Sequence, residues 1–264
     1  MEKIHWHHIA SGSTKNPPIL FLHGFMGNSS DWLTILEKLQ YRYFCLALDL
    51  PGHGKTRISG DDSQFRIEPT TESIIHYITN LSLKNTNLVG YSMGGRLVLY
   101  LAMKYPKYFN RIIIESTSPG LMDPIERLNR KQSDLALARE IEQGDMENFL
   151  EKWYQQPLFR SLISHPNFQQ LFNSRLNNDP LALAKSLRYM SVGIQPSLWH
   201  KLQKIQLPVF ILVGERDQRY RKIALMMTEK IPNATLKVVR NCGHNIHFEN
   251  EDLYIDSITH FLSR

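Results

Sequence analysis

The sequence predicts an α/β domain: a mostly parallel sheet flanked by helices, with a helical lid inserted late in the chain. Three observations carry this. Short apolar runs alternate with helical patterns over residues 1–118 and again over 201–264, the mark of βαβ units around a parallel sheet. Residues 119–200 between them show only helical patterning, and an all-helical block set into an α/β pattern is typical of an active-site cover. Finally, Gly90-Tyr91-Ser92-Met93-Gly94 matches G-x-S-x-G at a strand-to-helix junction, the context in which that motif exposes a nucleophile. The 264 residues are read as a single domain, with core 1–118 and 201–264 and lid 119–200.

Each element follows from local chemistry. PPILFLHG is a buried strand, and SSDWLTILEKLQ is a helix opened by a serine cap. RYFCLALDL is a second strand, closed by the turn PGHG. EPTTESIIHYITNLSL is helical, NTNLVGYS a strand, and MGGRLVLYLAMKYP a helix that stops before Pro106. FNRIIIEST is the next strand. In the inserted block, DPIERLNRKQSDLALAREIEQ and DPLALAKSLRYMSV open alike, with Asp123 and Asp179 as caps. Pro124 and Pro180 take the first helical position, where a missing N–H costs nothing. MENFLEKWYQQ and NFQQLFNSRL supply two more helices. The sheet resumes with LPVFILVGERD, followed by the helix YRKIALMMTEKI, the strand ATLKVVRN and the terminal helix EDLYIDSITHFLSR.

Composition narrows the partners. The formal net charge is +6, but the cations are scattered, with no basic tail or stripe. That argues against nucleic acid and leaves anionic small molecules open. The two cysteines, Cys45 and Cys242, have no metal-ligand spacing, which fits a reducing compartment. MEKIHWHHIA lacks the apolar core of a signal peptide, and no window reaches the ~18 apolar residues of a membrane span. A soluble cytoplasmic protein, a monomer or weak homo-oligomer without membrane insertion, is expected.

Ser92 needs a histidine to take its proton, and that histidine needs an acid to fix its tautomer. In a strand-to-helix elbow of this kind the chain order is Ser, acid, His. His244, in NCGHNIHFE, follows the last predicted strand, and Asp217, in VGERDQRY, ends the one before it. Of the 11 histidines, His23, His53 and His247 are rivals. His23 and His53 precede the serine and are read as fixing loops. Among the acids, Asp49 precedes the serine, and Glu115 is the credible alternative because it ends the strand after it. The oxyanion site uses two backbone amides, Met93 after the serine and Phe25 in the loop after ILFLHG. Arg96 is unusual: a cation in the first turns of a helix opposes the positive end of the helix dipole.

HGF, DLPGHG, GYSMGG, GERD and GHNIH together resemble the α/β-hydrolase fold over the whole chain. That fold hosts many chemistries. Arg96 after GYSMGG, ERLNRKQSD, and WYQQPLF followed by NSRL narrow the resemblance, as do ESTSPGL and PSLW. They are similar to the 2-succinyl-6-hydroxy-2,4-cyclohexadiene-1-carboxylate (SHCHC) synthase family of menaquinone and phylloquinone biosynthesis. The resemblance implies a lyase that eliminates pyruvate from 2-succinyl-5-enolpyruvyl-6-hydroxy-3-cyclohexene-1-carboxylate (SEPHCHC), with Ser92, His244 and Asp217 acting as a base. It implies no metal and no organic cofactor. The substrate carries three carboxylates, and the resemblance assigns Arg96, Arg130 and Arg175 to them, with Tyr91, Trp153 and Tyr154 lining the pocket. Arg127 shares a helix face with Arg130 and competes with it. A serine hydrolase of a small carboxylated ester or carbon–carbon bond, and a non-catalytic ligand receptor, are the alternatives.

Overall fold

The central apolar runs become strands because they are buried on both faces. The computed structural model describes residues 3–263. Its main sheet contains β2 (His8–Ser11), β3 (Pro18–Leu22), β4 (Phe44–Leu48), β6 (Thr86–Tyr91), β7 (Phe109–Glu115), β8 (Val209–Gly214) and β9 (Ala234–Val239) in the order β2-β4-β3-β6-β7-β8-β9. β2 runs antiparallel to β4, and all other pairs are parallel. Two short strands, β1 (Ile4–His5) and β5 (Arg57–Ile58), form a separate antiparallel ribbon. The edge strand β2 carried no apolar run and was not expected. It is short, and its residues alternate between exposed and half-buried.

Parallel strands need helices on both faces. On one face α2 (Ile67–Asn80), α3 (Met93–Lys104) and α9 (Gln218–Lys230) bury Ile74, Leu97, Leu101 and Met227 against the sheet. On the other, α1 (Leu33–Leu39) and α11 (Glu251–Leu262) bury Leu36, Tyr254 and Ile258 with Trp32. The expected serine cap on α1 is corrected: Ser29–Trp32 form a 3₁₀ turn, and Asn28 caps it by accepting from the Ser30 amide at 2.8 Å. Asn28 has the extended backbone a cap requires.

Between β7 and β8 the chain forms α4 (Pro124–Gln143), α5 (Met146–Tyr154), α6 (Arg160–Ile163), α7 (Phe168–Leu176) and α8 (Pro180–Tyr189). Asp123 accepts from the Glu126 amide and Asp179 from Leu181 and Ala182, so both expected caps form. These helices have an apolar centre of their own, including Leu150, Phe172 and Leu183, closed by Met26 from the sheet side. After β9, the short α10 (Ile246–Glu249) leads into α11. Cys45 and Cys242 are buried and free; burial pushes their thiols up to about 12 and about 11, so neither is a thiolate at neutral pH. No helix among the described residues is long and apolar enough to cross a membrane.

Strand order reverses around β3, which lies between β4 and β6. Loops leaving β3 and β6 therefore diverge at one end of the sheet and open a crevice, where α/β proteins place ligands. Two buried histidines tie these loops down. His23 donates to the Gly24 carbonyl at 2.7 Å and accepts from the Leu50 amide at 2.9 Å. His53 donates to the Pro51 carbonyl and accepts from the Met26 amide, both at 3.1 Å. Neither has a free position for another proton, and burial lowers both pKa values, His53 well below 6.5. The unfolded chain takes up these protons below about pH 6.5 while the folded chain does not. Their contribution to stability is intact above that pH and falls as the pH drops toward the depressed folded values, by about 1.4 kcal/mol per histidine per unit. Melting curves from pH 7.5 to 5.5 should show a falling Tm, and His53→Gln, which keeps one donor and one acceptor, should flatten the fall. Equal slopes in the two proteins would contradict this.

Candidate active site

The centre of the site is a turn too tight for ordinary side chains. Ser92 leaves β6 with φ 49° and begins α3. A Cβ on Gly94 would lie 2.1 Å from the Leu22 carbonyl oxygen, and one on Gly90 would lie 2.6 Å from the Gly94 carbonyl oxygen. Glycine is required at both because the backbones themselves are in contact. The serine is held in this sparsely populated conformation from several sides. Its amide donates to the Glu115 carbonyl at 2.9 Å, and its own carbonyl accepts from the Thr117 hydroxyl at 2.7 Å and the Arg96 amide at 3.2 Å. Such strain persists only where surrounding structure over-determines it.

The structure brings Ser92, His244 and Asp217 into one chain of hydrogen bonds. Asp217 caps α9, accepting from the Tyr220 amide at 3.2 Å through Oδ1. Its Oδ2 accepts from His244 Nδ1 at 2.7 Å. A carboxylate only accepts, so Nδ1 carries the hydrogen and Nε2 is free to accept. Nε2 lies 3.1 Å from Ser92 Oγ. Asp217 and His244 are each 3% exposed. The rivals are occupied elsewhere. Glu115 binds His247 Nδ1 at 2.8 Å. Asp49 accepts from His7 and from the Ser29 and Lys55 amides.

Two backbone amides of residues lining the serine's cavity have no partner among the described residues. Among the described residues, no backbone or side-chain acceptor takes the N–H of Phe25, in the loop after β3, or of Met93, the first residue of α3. Both residues line the same cavity as Ser92 and His244.

That cavity has a volume of about 1520 Å³, with the sheet loops as its floor and the inserted helices as its roof. Tyr91, Trp153 and Tyr154 line it. Tyr91 packs 5.4 Å from the His244 ring, and Trp153 packs 5.6 Å from Phe25. The three arginines differ sharply. Arg96 donates to the Met190 carbonyl at 2.8 Å and to the Gln195 side chain, with no ion-pair partner among the described residues. Burial, then repulsion from Arg130, lowers its pKa from 12.5 to about 10, so it remains a cation at neutral pH. Arg130 lines the cavity but pairs with Asp134 at 2.8 Å, and Asp134 is itself held by the Ser191 hydroxyl at 2.6 Å. Arg127 is not among the residues lining the cavity, and its side chain donates to the Ile194 carbonyl at 3.4 Å.

Arg175 already has a carboxylate partner within the chain. It lines the cavity, but Asp31 grips it with two parallel bonds of 2.7 and 2.8 Å. Burial works against its charge; Asp31 overcomes that and raises its pKa. Asp31 and Asp134 were missed in the sequence, as was Gln195. Each is distant in sequence or carries no motif; only Asp134, at i+4 from Arg130, had a readable signal.

The geometry has counterparts. The α/β-hydrolase-fold family model matches residues 17–251. SHCHC synthase from Serratia proteamaculans is 31% identical over 259 residues, covering 96% of both chains. The Salmonella typhimurium enzyme of that name is 33% identical, covering 95% of this chain and 96% of its own. The chain belongs to the SHCHC synthase family. Family membership makes it an enzyme. The solved structure of MenH from S. aureus superposes with TM-score 0.92 at 33% identity, covering 100% of this chain and 98% of that one. Protein PHYLLO of Arabidopsis thaliana is 33% identical over 93% of the chain, which spans 15% of that much longer protein.

The buried Arg175–Asp31 pair joins α7 to the loop after β3. Removing one partner of such a pair leaves an uncompensated buried charge, at a cost of about 3–5 kcal/mol. Asp31→Ala should therefore lower denaturant stability by about that amount. A change below about 1 kcal/mol, as for an exposed pair, would contradict this reading.

Proposed function

We propose that the chain eliminates pyruvate from SEPHCHC to form SHCHC, a carbon–oxygen lyase reaction of menaquinone or phylloquinone biosynthesis. The observation that carries the reading is Arg96, a partly buried cation without a carboxylate partner among the described residues, set one helical turn from Ser92 in the cavity that holds the relay. A cavity for neutral esters has no use for an uncompensated guanidinium there. A polycarboxylate does, because guanidinium binds carboxylate with fixed direction as well as charge.

The substrate and product names define the electron flow. The ring double bond at position 3 becomes two, at positions 2 and 4. The C2–H pair becomes the C2=C3 bond, the C3=C4 pair moves to C4=C5, and the C5–O pair leaves with the enolpyruvyl group. Enolpyruvate then takes a proton at its methylene carbon and becomes pyruvate. In this reading Ser92 Oγ takes the C2 proton while passing its own to His244 Nε2, and Asp217 stabilises the imidazolium. C2 carries the succinyl ketone, so negative charge develops on that oxygen. The Phe25 and Met93 amides accept it, and their being otherwise unspent supports the assignment. Arg96 takes one substrate carboxylate. Arg130 and Arg175 take the others through N–H groups left over from Asp134 and Asp31. Tyr91, Trp153 and Tyr154 hold the ring so that C2–H meets the serine.

The same relay and amides could serve ester hydrolysis through an acyl-enzyme. A coupled assay on freshly made SEPHCHC decides between them: pyruvate released with no acyl-serine supports elimination, while a trapped acyl-enzyme supports hydrolysis. Ser92→Ala should lower kcat by about 10³-fold or more yet still bind the substrate; near-normal rates would refute a base at Ser92. Arg96→Ala should reduce kcat/KM for SEPHCHC about 100-fold, as for loss of a charged hydrogen-bonded contact, and hydrolysis of a neutral ester far less. Equal losses on both would mean that Arg96 only supports the turn.

A further inference from the structure

Glu115 is fully buried, with 0% of its surface exposed, and the relay does not use it. An ionised carboxylate in that position is costly unless closely compensated. Its compensation is distributed in an informative way. Oε1 accepts from the Ile246 amide at 2.6 Å and the His247 amide at 3.2 Å, and Oε2 accepts from His247 Nδ1 at 2.8 Å. Those amides lie two and three residues beyond His244. The backbone carbonyl of the same residue accepts the Ser92 amide at 2.9 Å. Glu115 thus grips the nucleophile through its main chain and the histidine loop through its side chain.

The neighbours strengthen the point. Glu249 holds the amides flanking His244, Gly243 at 2.8 Å and Asn245 at 3.2 Å, but it makes no bond to the serine's strand. Glu115 pairs with Tyr91 across β6 and β7, and the Tyr91 ring contacts both His244 and His247. Trp32 stacks on His247 at 4.4 Å and closes the far side. The buried network behind the site is therefore rigid, and Glu115 is its junction between β6 and the loop of His244.

We propose that Glu115 is a positioning residue that sets the Ser92–His244 distance from behind the site. Misplacement of reacting groups by about 1 Å costs on the order of 100-fold in rate. Loss of the brace therefore acts on proton transfer more than on substrate binding. This rests on the relay assigned above, and the test reads the relay without the substrate.

Labelling of Ser92 by a fluorophosphonate, in which the serine oxygen displaces fluoride and His244 takes the proton, reports serine reactivity directly. In folded Glu115→Ala the labelling rate should fall by about 10- to 100-fold, and kcat on SEPHCHC should fall alongside with KM nearly constant. Glu115→Gln, which keeps Oε1 as acceptor for both amides, should label within about threefold of the parent rate. A structural role alone would lower Tm in Glu115→Ala and leave labelling of the folded protein unchanged; that result overturns the proposal. Should Glu115→Ala not fold, Glu115→Asp, whose carboxylate is withdrawn by one methylene, replaces it: slowed labelling supports the brace and parental labelling overturns it. Labelling that responds as expected in a protein releasing no pyruvate from SEPHCHC would sink the proposed reaction and leave the brace standing.

Discussion

The structure depends on a backbone contact. Gly94 is pressed against the Leu22 carbonyl so closely that no Cβ fits between them. This contact fixes the start of α3 against the end of β3 and drives Ser92 to φ 49°. From it follow the strained start of α3 and the closeness of the Phe25 loop on the neighbouring strand, both at the cavity that Ser92 lines. The hydrogen bonds from Thr117 and to Glu115 hold the strain in place. The relay residues are added to this frame from the ends of two further strands.

Charge balance gives the site its character. Asp31 neutralises Arg175 and Asp134 neutralises Arg130, while among the described residues Arg96 is held by a carbonyl and an amide oxygen and by no carboxylate. Neutral acceptors solvate a guanidinium without cancelling it, so the cavity retains a net cation beside the serine. Full compensation would make the fold more stable and the pocket less selective for anions. Burial, then repulsion from Arg130, depresses the pKa of Arg96, and Asp134 works against that shift.

Much of this was legible in the sequence. Short apolar stretches gave the parallel strands, and the Asp-Pro pairs at 123–124 and 179–180 marked the two helix starts where they occur. The elbow was readable because its chemistry is local: small residues at fixed offsets around a serine. Chain order then pointed to Asp217 and His244, which the fold brings within hydrogen-bonding distance of each other, with His244 in turn within reach of Ser92. What could not be read was pairing at long range. Nothing local to FMGNSSDW marks Asp31 as the partner of Arg175, 144 residues away. Likewise Glu115 could be seen as an acid near the site, but only the folded chain reveals that it serves main-chain amides rather than His244. Edge strand β2 was missed for a different reason: it is four residues long and half-exposed, so it has no apolar signature.

In the proposed mechanism an elbow familiar from nucleophilic catalysis acts as a base on a carbon acid. The most direct measurement follows SEPHCHC bearing deuterium at C2 through a single turnover. Proton removal by Ser92 predicts that the deuterium slows pyruvate release in that turnover and that Ser92→Ala loses this isotope-sensitive phase. Equal release rates from the deuterated and the ordinary substrate, or an isotope-sensitive phase that survives in Ser92→Ala, would contradict the mechanism.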